Sequence, residues 1–284
     1  MLTTIADLRS FTASQHRAGK TVGLVPTMGA LHSGHLSLVR ESNKRCGTTV
    51  VSIFVNPAQF APNEDFQRYP RTLENDLLLL QKDGCTPNGK TEVFVPEISE
   101  MYPRGFDTSV HTGSISQVLE GRSRPAHFQG VATVVLKLFL ASQADTAFFG
   151  QKDYQQVCVI RRITADLNVP LEIVMCPIIR EPDGLAMSSR NRYLTAAQRQ
   201  QAVVLSQSLQ LAETMLRSGT ADSAAVQKAV TEKIQTAPEA VIDYVSIADP
   251  ITLQELPAVE SEAVILLAVR FGTTRLLDNL HYVL

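Results

Sequence analysis

At 284 residues, with 44% hydrophobic and 19% charged side chains, the sequence describes a folded globular chain with room for two domains as readily as one. A formal net charge of −2, with no basic stretch beyond pairs such as Arg161-Arg162, excludes a general nucleic-acid binder. Cys46, Cys85, Cys158 and Cys176 show no CxxC spacing, so they read as reduced thiols of a cytoplasmic protein rather than a zinc site or disulfide framework. The start, MLTTIADLRSF, carries Asp7 and lacks the apolar centre of a secretory leader, and no run approaches 18 apolar residues, so neither leader nor membrane span is expected.

In chain order, TVGLVP (21–26) and TTVVSIFV (48–55) have the continuous apolar, β-branched character of buried parallel strands, and residues 36–45 between them have helical spacing. A helix over 72–84, a strand over 91–96, a buried helix over 130–143 and a strand over 145–150 follow. A helix over 153–168 and a strand over 171–177 complete the series. Repeated β-α alternation predicts a doubly wound parallel sheet. After Pro177 the pattern changes to a polar loop and a long amphipathic helix over 195–219, with Thr195 as its N-cap. A helix over 222–236 and strands over 240–249, 262–272 and 274–280 then predict a smaller α+β domain, with the boundary near 177–187.

The chemistry concentrates where strand 21–26 ends. VPTMGALHSGH (25–35) places a turn with Gly29 before a helix that starts near Gly34 and His35. In open α/β sheets ligands sit beyond the carboxyl ends of the strands, and a helix N-terminus there favours anions. His32 and His35 lie at that start, with Gly34 letting a phosphate approach the backbone. The competing readings are a pair of ordinary surface histidines and a zinc site; the second lacks both the HExxH base and a nearby cysteine. HxGH resembles instead the signature of nucleotidyl-transferring enzymes, in which imidazoles hold ATP phosphates. GCTPNGKT (84–91) satisfies the P-loop pattern, but a helix precedes it and a strand follows, the reverse of the P-loop context. It reads as a surface turn.

Three further segments converge. Gln59, in SIFVNPAQF, is expected to face the same crevice, with a solvent-facing turn amide as the alternative. Lys152 suits a phosphate and Asp153 a ribose hydroxyl, against an N-cap aspartate beside a surface lysine. DGLAMSSRNRYL (183–194) offers two hydroxyls and Arg190 in a loop able to close over a triphosphate. Asp76 reads as a solvated helix-face carboxylate, with an outer-sphere role at a metal as the alternative.

Together, VPTMGALHSGH, VSIFVNPAQF, YPRTLENDL, RPAHFQGVATVVLKLF, FFGQKDYQQ and DGLAMSSRNRYL resemble the pantoate–β-alanine ligase (pantothenate synthetase) family, in the family's order over most of residues 21–195. VILLAVRFGTTRLLDN near the C-terminus resembles it too. The resemblance implies a Rossmann-like ATP- and pantoate-binding domain over 1–178 and an α+β lid and dimer-associated domain over 179–284, in a cytoplasmic homodimer. It implies ATP- and Mg²⁺-dependent condensation of pantoate with β-alanine through pantoyl adenylate, giving AMP and pyrophosphate. His32, His35, Lys152, Ser188, Ser189 and Arg190 would be catalytic. Met28, Gly29, Ala30, Leu31, Ser33 and Gly34 would line the nucleotide site with Gly150, Gln151, Asp153, Met187 and the backbone of Ile179. Gln59 and Gln156 would hold pantoate.

The sequence departs from that family at Gln151, usually Glu, at Ala58, usually Met, and in an apparent insertion over 85–90. Two other activities fit HxGH: a related nucleotidyltransferase that leaves a nucleotide on its product, and a non-catalytic nucleotide-binding protein. The paired amides of Gln59 and Gln156 argue against both, because a phosphate-bearing substrate calls for cations. Pyrophosphate release would exclude the latter.

Overall fold

The computed structural model describes residues 1–61, 64–82 and 90–284. They form two compact units, residues 1–150 with 155–177, and residues 151–154 with 178–284.

The first unit is built on a five-stranded parallel sheet of order β3-β2-β1-β4-β5. Its strands are β1 (Val22–Thr27), β2 (Thr48–Ile53), β3 (Thr91–Phe94), β4 (Thr146–Gly150) and β5 (Glu172–Cys176). Six helices accompany them: α1 (Ile5–Arg17), α2 (Ser33–Arg45), α3 (Leu73–Lys82), α4 (Ile98–Met101), α5 (Glu120–Ser123) and α6 (His127–Ser142). The helix α7 (Tyr154–Asp166) follows β4. The continuous apolar runs are buried as expected: all of β2, and Val22 to Val25 of β1. The expected doubly wound parallel sheet is thus present.

Strand order reverses at β1, which has β2 on one side and β4 on the other. The β1–β2 ladder runs the full length from Val22↔Thr48 to Thr27↔Ile53, whereas the β1–β4 ladder ends at Leu24↔Ala147. The carboxyl ends of β1 and β4 therefore leave the ladder at the reversal, where open α/β sheets bind ligands.

The second unit carries an antiparallel sheet, β6 (Ala240–Ala248), β7 (Glu262–Phe271) and β8 (Thr274–Val283), in that order. Its helices are α8 (Ala196–Gln201), α9 (Val204–Arg217) and α10 (Ser223–Gln235). Leu205 and Leu209 of α9 and Val226, Val230 and Ile234 of α10 are buried in one core with Ile265, Leu267, Val269 and Phe271 of β7. Each large apolar side chain buried there contributes about 1.5–3 kcal/mol.

Local expectations hold with three corrections. Thr195 caps α8 in a capping box with Gln198, but the helix expected over 195–219 is two helices, interrupted at Ala202 and Val203. Strand β8 runs three residues beyond 280, to Val283. Helix α1, with only Leu8 and Thr12 buried, has too narrow an apolar stripe for periodicity to reveal it. The turn expected over 84–91 and the inserted stretch 85–90 lie largely outside the described residues; the helix before and the strand after are in place.

Candidate active site

The turn between β1 and α2 is held in an unusual backbone path. Gly29 has φ +77° and Ala30 φ +50°, and a Cβ on Gly29 would stand 3.1 Å from both Asp76 Oδ2 and Ile53 Cγ2. A left-handed pair of this kind needs external support. Asp76 of α3 supplies it, fully buried, with Oδ2 accepting from Ala30 N and Oδ1 from Leu31 N, both at 2.9 Å. Thr72 Oγ1 donates to the same carboxylate at 3.1 Å. The reading of Asp76 as a solvated helix-face carboxylate is therefore corrected: it is an internal brace. Sequence periodicity missed this because its partners lie 45 and 46 residues away.

This brace fixes what the turn presents. The side chains of Ala30 and Leu31 are buried, Leu31 in the core with Leu36 and Val39, and their amides belong to Asp76. Ser33 is exposed, and Met28 and Gly34 are half-buried. His32 is the N-cap of α2: its Nδ1 accepts from Gly34 N at 3.2 Å. An accepting Nδ1 carries no proton, so the neutral ring carries its proton on Nε2, making that atom a donor. The His32 and His35 rings meet at 4.1 Å between centroids, tilted by 38°. The two imidazoles are thus brought together at the start of a 13-residue helix, on the strand at which the sheet order reverses.

Gln59 ends a short 3₁₀ turn, Pro57–Gln59, after β2 and is 8% exposed. Its side-chain oxygen accepts from Asn56 Nδ2 at 2.9 Å, which also donates to Gly130 O. Tyr102 completes the group by donating to Asn56 Oδ1 at 2.7 Å, and burial pushes its phenol up to about 12. Gly130 lets α6 come this close: a Cβ there would stand 2.1 Å from Ala58 O. The Gln59 carbonyl accepts from Arg124 Nη2 at 3.2 Å and from His127 Nδ1 at 3.1 Å. Burial, reinforced by the Arg124 charge, lowers His127 to about 4, so this imidazole is neutral at pH 7. Arg124 also forks onto Glu64, with both nitrogen–oxygen distances 2.7 Å. Burial works to raise the Glu64 carboxyl, but Arg124 outweighs it and the net shift is downward. Sequence reading singled out Gln59 but not this support, whose members lie three to 71 residues away in the chain.

On α7, Gln155 is structural: its amide donates to Ile115 O and Val118 O, and its oxygen accepts from Glu120 N. Its neighbour Gln156 is half-buried, on a different element from Gln59. In the first unit, half-buried Gly150 ends β4 with open space where a Cβ would be.

In the second unit, Gln151, Lys152 and Asp153 form a 3₁₀ turn. Lys152 Nζ pairs with Asp153 Oδ1 at 3.3 Å. Asn279 Nδ2 donates to the carbonyls of both Gln151 and Lys152 at 2.9 Å, and Gln151 Nε2 donates to Asn279 Oδ1 at 3.3 Å. The serine loop leaves a small hairpin closed by Met187 N donating to Ile179 O at 2.9 Å and by the Arg180↔Ala186 bridge. Gly184, at φ +96°, makes its turn, and Arg199 forks onto Asp183 beside it, holding that carboxyl below the usual range. Ser188 caps the 3₁₀ helix Ser189–Tyr193 by accepting from Arg190 N at 3.2 Å, and Asn191 ties it to Ala186 O.

Within the first unit, two imidazoles at a helix start and the buried amide of Gln59, and within the second a lysine and an arginine on short 3₁₀ turns, are polar groups of the kind that bind anions and small polar ligands. Among the described residues, no group of three or more His, Cys, Asp or Glu side chains is arranged to hold a metal ion, and no helix is long and apolar enough to cross a membrane.

Comparison with known proteins accords with this geometry. The profile of the family described as pantoate-beta-alanine ligase matches residues 1–281. The pantothenate synthetases of Acetivibrio thermocellus and Roseiflexus castenholzii are 50% and 52% identical over 279 residues, covering 98% of each chain. A crystal structure of pantothenate synthetase from Thermus thermophilus superposes with a TM-score of 0.91 at 44% identity, covering 98% of both chains. Pantoate-beta-alanine ligase from Francisella tularensis, complexed with beta-gamma ATP and beta-alanine, does so at 0.79 and 34%, covering 99% of this chain and 97% of that one. The chain belongs to the pantoate-beta-alanine ligase family.

Proposed function

We propose that the chain joins pantoate to β-alanine by way of an enzyme-bound pantoyl adenylate, using ATP. The observation that carries this reading is the braced His32–His35 turn at the carboxyl end of β1, where strand order reverses. Family membership supports the ligase chemistry, and the Francisella relative complexed with beta-gamma ATP and beta-alanine supports the ligands.

A carboxylate is a poor acyl donor, so an amide forms in water only after activation. A pantoate carboxylate oxygen attacks the α-phosphorus of ATP and pyrophosphate leaves. The β-alanine amine then attacks the activated carbonyl, losing a proton, and AMP leaves with the bridging oxygen. No enzyme nucleophile is required. His32 and His35 meet the charge that develops on the phosphates, with His32 donating from Nε2. Lys152 and Arg190 supply fixed cations, Ser188 and Ser189 hydroxyl donors, and Asp153 an acceptor for the ribose. Gly150 and Gln151 adjoin the nucleotide, as do Met187 and the Ile179 backbone. Gln59 and Gln156 hold pantoate through neutral amides. Ala30 and Leu31 act by shaping the turn, since Asp76 occupies their amides.

Mg²⁺ would be brought by the ATP phosphates and would neutralise part of their charge beside Lys152 and Arg190. Asp76, buried and bonded to the turn, does not fit as its ligand. In the same reading the chain works as a homodimer in the cytoplasm, which the family resemblance supports and sedimentation equilibrium checks.

Pantoate labelled with ¹⁸O in its carboxylate tests the route. One label per turnover is expected in AMP, and unlabelled AMP would refute an adenylate. His35→Ala is expected to slow single-turnover adenylate formation by at least about 10²-fold, the loss typical of one transition-state donor. A near-normal rate would remove His35 from the chemistry.

A further inference from the structure

Neither Asp278 nor Asn279 carries a role in the reading above, yet both are buried polar residues in the middle of β8, each 2% exposed. Successive strand residues point to opposite faces, and this pair uses both. Asp278 takes Arg180 in a fork of 2.7 and 2.9 Å, and Arg180 Nη1 also donates to Gly184 O. Arg180 stands in the hairpin that leads into the Ser188–Arg190 loop. On the opposite side, Asn279 Nδ2 gathers the carbonyls of Gln151 and Lys152, and the Gln151 amide reaches back to Asn279 Oδ1. Asn279 N in turn donates to Asp278 Oδ1 at 2.8 Å, so the two braces are bonded to each other. All of these residues lie in one compact unit, because 151–154 belong with 178–284.

We propose that Asp278 and Asn279 are positioning residues for adenylation, Asn279 setting the turn that carries Lys152 and Asp278 setting the hairpin that carries Ser188 to Arg190. Two distant chain segments, one through Lys152 and the other through Arg180, are thereby fixed in register at adjacent positions of one strand. The chemistry fits the task. An amide nitrogen has two donors and can hold two consecutive carbonyls, while a buried carboxylate holds a guanidinium in its planar fork. Gln151 joins this brace through its side chain.

The inference rests on Lys152 and Arg190 contacting the nucleotide, so the experiment includes their own substitutions. Adenylate formation is measured in single turnovers at saturating Mg-ATP and pantoate, with rates referred to titrated active sites. The amide-forming half-reaction is followed separately from supplied pantoyl adenylate. Asn279→Ala is expected to slow adenylation at least about tenfold, since small displacements of a charged group cost that much or more. Amide formation should stay within about twofold, and Asn279→Ala should add little to Lys152→Ala in the double variant. Asp278→Asn should show the same non-additivity with Arg190→Ala. Should Asn279→Ala not fold, Asn279→Ser, which keeps one donor, takes its place. Full additivity, or equal loss in both half-reactions, would overturn the positioning role. Unchanged adenylation in Lys152→Ala and Arg190→Ala would instead overturn the site assignment beneath it.

Discussion

The turn after β1 and the turn after β4 are both held by a buried polar side chain from a distant element, but in opposite senses. Asp76 accepts from the amides of Ala30 and Leu31, whereas Asn279 donates to the carbonyls of Gln151 and Lys152. The first brace occupies backbone donors, so the charge-binding capacity of its turn passes to the imidazoles. The second occupies acceptors and leaves the 3₁₀ turn to present Lys152. The two also differ in what their loss should do. Buried amides without acceptors are rarer and costlier than under-satisfied carbonyls. Loss of Asp76 should thus register mainly as stability, and loss of Asn279 mainly as rate.

The largest effect is expected at Asp76. Asp76→Ala strands two buried amides in a left-handed turn and should cost about 4 kcal/mol, at about 1–3 kcal/mol per orphaned donor. Asp76→Asn, keeping one acceptor, should recover part of it. Urea unfolding checks both, and a loss no greater than that of Asn279→Ala would break the contrast. Next comes Gly130→Ala, which places a Cβ 2.1 Å from Ala58 O. It should cost about 1–3 kcal/mol through overpacking and raise KM for pantoate by displacing Gln59. An unchanged KM would separate Gln59 from the α6 contact.

The smallest effect concerns pH. Because His127 is lowered from 6.5 to about 4, the unfolded chain takes up a proton between those values that the folded chain refuses. Stability is therefore full above pH 6.5 and declines as pH falls through the window, by up to about 2 kcal/mol once the ring's partial exposure is allowed for. His127→Asn, which retains a donor toward the Gln59 carbonyl, should flatten that slope in urea titrations at pH 4.5 and 7. An unaltered slope would place the proton uptake elsewhere.

The elements of both units were readable where local pattern decides: continuous apolar runs for β1 and β2, and Thr195 as a cap. HxGH, Lys152 and the serine loop stand out because their residue types are rare in combination beside strand ends. What stayed hidden is non-local. Asp76 looks like any helix carboxylate until Ala30 and Leu31 are seen folded onto it. Asp278 and Asn279 sit in a strand where alternation predicts one buried residue, and only their distant partners show why both are buried. The break at Ala202 and Val203 carries no glycine or proline to announce it.

The most direct test of the account is pyrophosphate release from Mg-ATP with pantoate alone, followed by addition of β-alanine. The account predicts up to one equivalent of pyrophosphate per active site, then continuous turnover to AMP once β-alanine arrives. Pyrophosphate release that begins only when β-alanine is present would contradict a separate adenylation step.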